Sequence, residues 1–139
     1  MTSPSERLSR HAELTAEAPD RAEFEGLVQS GTNRLKDANN TALSLESRFD
    51  LAYNAAFVLS NAALRYHGFR ASKRYVVFQI LEDTLGLKAT VWRVLDTAHH
   101  VRNRSEYEGA SDVDERLLKD LLTAAAAVAK ALGQLPPLK

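Results

Sequence analysis

The sequence predicts an all-α protein, an up-and-down four-helix bundle with an additional N-terminal helix. Three observations predict it. Apolar residues recur at the i, i+3, i+4, i+7 spacing that lines one face of a helix. Capping residues and glycines mark the ends of these stretches, as at Asp20, Gly68 and Gly86. Strand signals are poor: the run Tyr75-Val76-Val77-Phe78 has strand propensity but lies between a helix cap and a helical continuation.

Taken in order, residues 1–19 are polar, with Pro4 and Pro19 as breakers, and are expected to form a flexible or partly helical N-terminal arm. Residues 20–135 are expected to form a single helical domain. Asp20 caps a helix from Arg21 to Asp37 with Phe24, Leu27, Val28 and Leu35 on its apolar face, and Gly31 weakens its middle. Asn39-Asn40-Thr41 reads as a connection. A stronger helix runs from Ser47 to His67 through Phe49, Ala52, Tyr53, Ala56, Phe57, Ala63 and Leu64, and Gly68 stops it. Ser72 is placed to cap a third helix carrying Tyr75, Val76, Phe78, Ile80 and Leu81, which ends at Gly86. A fourth spans Ala89 to Tyr107 with a core face of Val91, Val94, Leu95, Ala98 and Val101, and ends before Gly109. Ser111 is placed to cap a fifth, which continues through Leu117, Leu121, Ala124, Ala125, Val128 and Leu132 to Pro136-Pro137.

A chain of 139 residues suits one core. Lys+Arg and Asp+Glu both count 18, and the zero net charge argues against bulk electrostatic attraction to nucleic acid or anionic membrane while leaving room for a local basic patch. With no cysteine there is no disulfide, thiol nucleophile or cysteine zinc site. Met1-Thr2-Ser3-Pro4 has no apolar signal region, and the longest near-apolar run, Leu121 to Leu132, falls short of the roughly 20 residues that span a bilayer. These features predict a cytoplasmic protein with no membrane partner.

The candidate site lies on the fourth helix, where Arg102-Asn103-Arg104-Ser105-Glu106-Tyr107-Glu108-Gly109 concentrates polar groups within about two turns. At about 100° per residue, Asp96, His100, Asn103 and Tyr107 form one stripe opposite Val94, Ala98 and Val101. Arg104 flanks the stripe on one side, and His99 and Glu106 on the other; Arg102 lies further round, toward the core edge. Such a face suits anion binding or proton transfer. The plainer alternative is a solvated face or subunit contact, in which Asp96–His100 is an ordinary i, i+4 pair. Adjacent His99 and His100 point about 100° apart and seldom share an ion, so neither a metal nor any other cofactor is expected. Ser60, Ser72 and Ser105 lack a nucleophile-elbow context. Arg65, Arg70, Lys73 and Arg74, interleaved with Tyr66, Phe69 and Tyr75, suit either a phosphate chain or a solvated corner between helices.

Several of these residues occur together in one known family. Arg48-Phe49-Asp50, Ala52-Tyr53-Asn54-Ala55-Ala56 and Tyr66-His67-Gly68-Phe69-Arg70, then Phe78 and Leu81, then Arg102-Asn103 before Tyr107 and Gly109, make the chain resemble the HEPN superfamily over about residues 45 to 133. These are small α-helical domains found with minimal nucleotidyltransferases and in toxin–antitoxin and RNA-processing systems. Ribonucleases of the family carry an Arg, often followed by Asn, with a His four to six residues on. Arg102 and Asn103 match, but Tyr107, Glu108 and Gly109 fill the histidine window. A phenol of pKa about 10 is a poor base at neutral pH. His99 and His100, one turn earlier, are expected on the wrong side of Arg102 to substitute.

The resemblance thus implies a non-nuclease member: a homodimeric binding module with Arg102, Asn103 and Tyr107 near the two-fold axis. It would recognise a nucleotide, an RNA phosphate or a partner nucleotidyltransferase. In related pairs a motif tyrosine is adenylylated, which makes Tyr107 the corresponding candidate here. A divergent, metal-independent ribonuclease and an antitoxin-like interaction protein are the alternatives.

Overall fold

In the computed structural model, residues 3–108 and 113–138 are described, the side chains of 105–108 excepted. The chain is mostly helical. Four long helices, α2 (Arg21–Ala38), α3 (Leu45–Tyr66), α6 (Ala89–Glu108) and α7 (Glu115–Gly133), are joined by the short helices α1 (Pro4–Ser9), α4 (Arg74–Gln79) and α5 (Leu81–Leu85). A two-stranded antiparallel sheet pairs β1 (Leu14–Ala16) with β2 (Phe69–Ala71). Among the described residues, no helix is long and apolar enough to cross a membrane.

Local chemistry sets the helix starts. Oxygens of Asp20, Ser44 and Asp114 accept from the backbone N–H of Ala22, Ser47 and Leu117 at 3.3, 3.1 and 2.7 Å, satisfying donors that a helix N-terminus leaves open. Gly68 and Gly86 take positive φ, +89° and +67°, where a Cβ would be strained, and so end α3 and α5.

Packing centres on α3, which lies against α2, α4, α6 and α7 and buries Phe49, Tyr53, Leu59 and Leu64 together with five alanines. Each large apolar side chain buried there stabilises the fold by about 1.5–3 kcal/mol. Glu23 meets Arg65 and Arg48 meets Ala38, so α2 and α3 run antiparallel. Leu45 and Leu118 line one cleft, and Leu59 and Leu132 another, so α3 and α7 run the same way. This is the alternation of an up-and-down bundle.

Four details differ from the sequence expectation. The third helix breaks at Ile80 into α4 and α5. Consecutive Val76, Val77 and Phe78 are all buried, as are Ile80, Leu81 and Thr84. At about 100° per residue one straight helix could not turn all of them to the core, and the break lets each half face it separately. Ser72 does not cap; its hydroxyl donates to the Glu13 carboxylate at 2.7 Å, and Lys73 precedes α4 without a side-chain cap. Asp114, not Ser111, caps α7; Ser111 and the expected stop at Gly109 lie outside the described residues. The N-terminal segment is partly helical, in α1, but it also carries a strand the sequence did not predict: Leu8 is in the core and β1 zips residues 14–16 onto the chain beyond α3. That strand carries no alternation strong enough to read from sequence.

Candidate functional site

The inner edge of α6 meets α3 and α4 around one buried phenol. Tyr53 is fully buried on α3, with its ring edge-on to Phe78. A phenol placed there needs a polar partner for its oxygen. The partner is His99: its Nδ1 lies 2.9 Å from the Tyr53 hydroxyl, and the two rings stack with centroids 6.2 Å apart. The other ring nitrogen, Nε2, lies 3.2 Å from Asn103 Nδ2, one turn on. The Arg102 guanidinium sits 5.1 Å from the centre of the Tyr53 ring. His99 and Arg102 therefore both meet Tyr53, and Asn103 is joined to it through His99.

This corrects the placement expected from the sequence. Residues three and four apart on a helix are neighbours, so His99 lies between Arg102 and Asn103 in projection rather than across the helix from them. Asn103 turns to His99 rather than along the Asp96–His100 stripe. Those two residues form a separate, outward contact, with Asp96 Oδ2 3.6 Å from His100 Nε2 and the His100 side chain 68% exposed. Arg104 is exposed. The side chain of Tyr107 lies outside the described residues, as does that of Glu106.

Electrostatics keep His99 uncharged. Burial is the leading cause that holds its pKa below the ordinary imidazole value; the positive fields of His100, Arg102 and Arg74 add to it, and Asp96 opposes. With the Asn103 amide nitrogen facing Nε2, the consistent neutral tautomer carries its proton on Nδ1 and donates it to the Tyr53 oxygen. Two residues of α4 complete the surround. The Tyr75 ring lies 6.3 Å from that of His99, and the Arg74 guanidinium lies 4.4 Å from the centre of the Phe57 ring.

The site thus offers two guanidinium groups, a neutral imidazole and an amide at the meeting of three helices. The Arg102 guanidinium lies over the Tyr53 ring, and a planar guanidinium is the group whose N–H fork matches a phosphate or carboxylate. Tyr53 was not among the site residues read from the sequence, and Arg74 and Tyr75 were read there only with the basic corner after α3, as a phosphate site or a solvated turn. The usable signal was Tyr53 itself: a tyrosine on an otherwise apolar helix face implies a buried polar partner on a neighbouring helix.

The basic corner after α3 is mostly consumed by the fold. Arg65 is buried; it donates to Glu23 Oε1 at 2.6 Å and to the carbonyls of Glu17, Ala18 and Phe69 at 2.9, 2.8 and 3.3 Å. Arg70 reaches Glu17 and Glu23 at 2.5 and 2.7 Å, and Lys73 lies 3.9 Å from Glu13. Only Arg74 of that cluster turns to the α6 site. Among the described residues no group of three or more His, Asp or Glu side chains is placed to hold a metal ion. Neither a family model nor a curated protein matches the chain.

Proposed function

We propose that the chain is a HEPN-like binding module, homodimeric and cytoplasmic, that recognises the phosphate of a nucleotide or an RNA, or a nucleotidyltransferase partner, and performs no chemistry of its own. One observation supports this reading above the others: Arg102 and His99 both meet Tyr53, Asn103 bonds the outer nitrogen of His99, and Arg74 is close enough to act on the same imidazole. Arginines beside a half-buried polar cluster bind phosphate strongly because the local dielectric is low and the guanidinium fork matches its oxygens. The test is anisotropy of a fluorescent single-stranded RNA and of a labelled adenine nucleotide. Wild type is expected to bind, and Arg102→Ala to weaken binding at least tenfold while remaining folded. Equal affinity in the two proteins would sink the proposal.

A second reading, a divergent metal-independent ribonuclease, is favoured by the same His99, since a neutral imidazole beside an arginine can take a proton. Both ring nitrogens are engaged, however, so the base would first have to release Asn103. RNA incubated with metal-stripped wild type, Arg102→Ala, His99→Gln and Tyr107→Phe separates the two readings. Cleavage that requires both Arg102 and His99 would replace the binding reading.

A further inference from the structure

The phosphate-site reading has a proton attached to it. The His99 ring is held at both nitrogens, by the Tyr53 oxygen at 2.9 Å and the Asn103 amide nitrogen at 3.2 Å. The charged and titratable groups around it are Tyr53 from α3, Arg74 and Tyr75 from α4, and Asp96, His100 and Arg102 from α6 itself. Three of these are cationic or become so, and they disfavour an imidazolium; Asp96 alone favours it.

We propose that an anion bound at this cluster is taken up together with one proton on His99, and that Asn103 is the element that turns. A tetrahedral dianion near Arg102 and Arg74 cancels the positive field that discourages protonation. Once protonated, the ring has an N–H at each nitrogen and needs two acceptors. The Tyr53 oxygen already accepts at Nδ1. At Nε2 the Asn103 NH2 would oppose a second donor, so the amide rotates about its last torsion and presents Oδ1 instead. That half-turn exchanges the two ends of the amide: the position that held its oxygen now holds two N–H donors. Protonating His99 therefore turns the end of Asn103 away from the ring from an acceptor, which repels an anion, into a donor, which binds one. No other atom changes hands; the proton comes from solvent and returns there when the anion leaves. This inference rests on the phosphate-site reading and adds its regulation: tighter binding at lower pH.

The test follows the histidine ring signals of isotopically labelled protein by NMR through a pH titration, with and without saturating inorganic sulfate. Sulfate is chosen because it stays a dianion throughout and adds no titration of its own. Sulfate is expected to raise the His99 midpoint by about one pH unit or more, which corresponds to about tenfold tighter binding per unit at low pH than at high pH. In Asn103→Asp a carboxylate oxygen faces Nε2 without any rotation, and the midpoint is expected to be high already in the absence of sulfate. In His99→Gln sulfate affinity is expected to be independent of pH. Binding that perturbs Arg102 and Asn103 but leaves the His99 midpoint unmoved overturns the proton coupling and keeps the phosphate site. Absence of sulfate binding at every pH overturns both.

Discussion

Two buried polar side chains show how differently the interior treats such groups. The Ser60 hydroxyl on α3 is fully buried and finds no hydrogen-bond partner among the described residues. An unsatisfied buried hydroxyl costs about 1–3 kcal/mol, whereas a methyl in its place costs nothing to desolvate. Ser60→Ala is expected to stabilise the protein by about 1 kcal/mol in urea denaturation, and a loss of stability would show that the hydroxyl is satisfied in solution. Arg65 is the opposite case. Its buried guanidinium holds a carboxylate and three carbonyls, and truncation leaves those acceptors stranded. Arg65→Ala is expected to cost about 3 kcal/mol or more, the range for breaking a buried charged network; a change below about 1 kcal/mol would mean water replaces it. Neither role was legible in the sequence. Ser60 reads as one more small residue on a close-packed helix, and all the partners of Arg65 except Phe69 lie 42–48 positions away, beyond any periodicity.

The helices themselves were largely legible, because a 3.6-residue apolar repeat and capping oxygens are local signals. The ends of α2 and α3 fall within a residue or two of the sequence expectation for that reason. What locality hides is how one helix meets the next. Gly31 reads as a weak point in α2, yet a Cβ there would lie 2.5 Å from Leu59 Cγ on α3. The glycine is what lets the two helices come together. Alanine would gain about 1 kcal/mol of helix propensity, but overpacking a buried leucine costs about 1–3 kcal/mol. Gly31→Ala is therefore expected to destabilise, and Gly31→Ala with Leu59→Ala to show strong positive coupling in a double-mutant cycle; simple additivity would put the contact elsewhere. The site on α6 was legible in composition but not in direction. Arg102 and Asn103 stood out, while the inward turn of His99 depended on Tyr53, from a helix 46 positions earlier.

At the scale of the whole molecule, two groups tie stability to pH in separate windows. His99 has a folded-state pKa below its ordinary 6.5, so the unfolded chain takes a proton first. Its contribution is full above about pH 6.5 and is lost as pH falls through the folded value. Glu23 is held below its ordinary 4.5, first by the Arg65 hydrogen bond and then by that of Arg70, so its contribution is full above about pH 4.5 and is lost below that. Stability is expected to decline in two stages on acidification, the first blunted in His99→Gln and the second in Glu23→Gln. Urea midpoints across the range check this, and an upper stage that survives in His99→Gln would assign it to another group.

Glu23 belongs to the same fastening as Arg65, β1 and β2, which holds the chain just ahead of α2 against the far end of α3. In mechanical terms, a load on the amino end is not delivered to α2. It can strip α1, with its Leu8 anchor, and then meets the paired strands and the guanidinium clamp. The molecule hangs from α3, its most buried helix. Pulled in a single-molecule experiment, it should give up the residues before 14 in one early, low-force step and then resist as a unit, because the element that would unwind next is shielded by the paired strands and a knot of ion pairs rather than exposed to the pull.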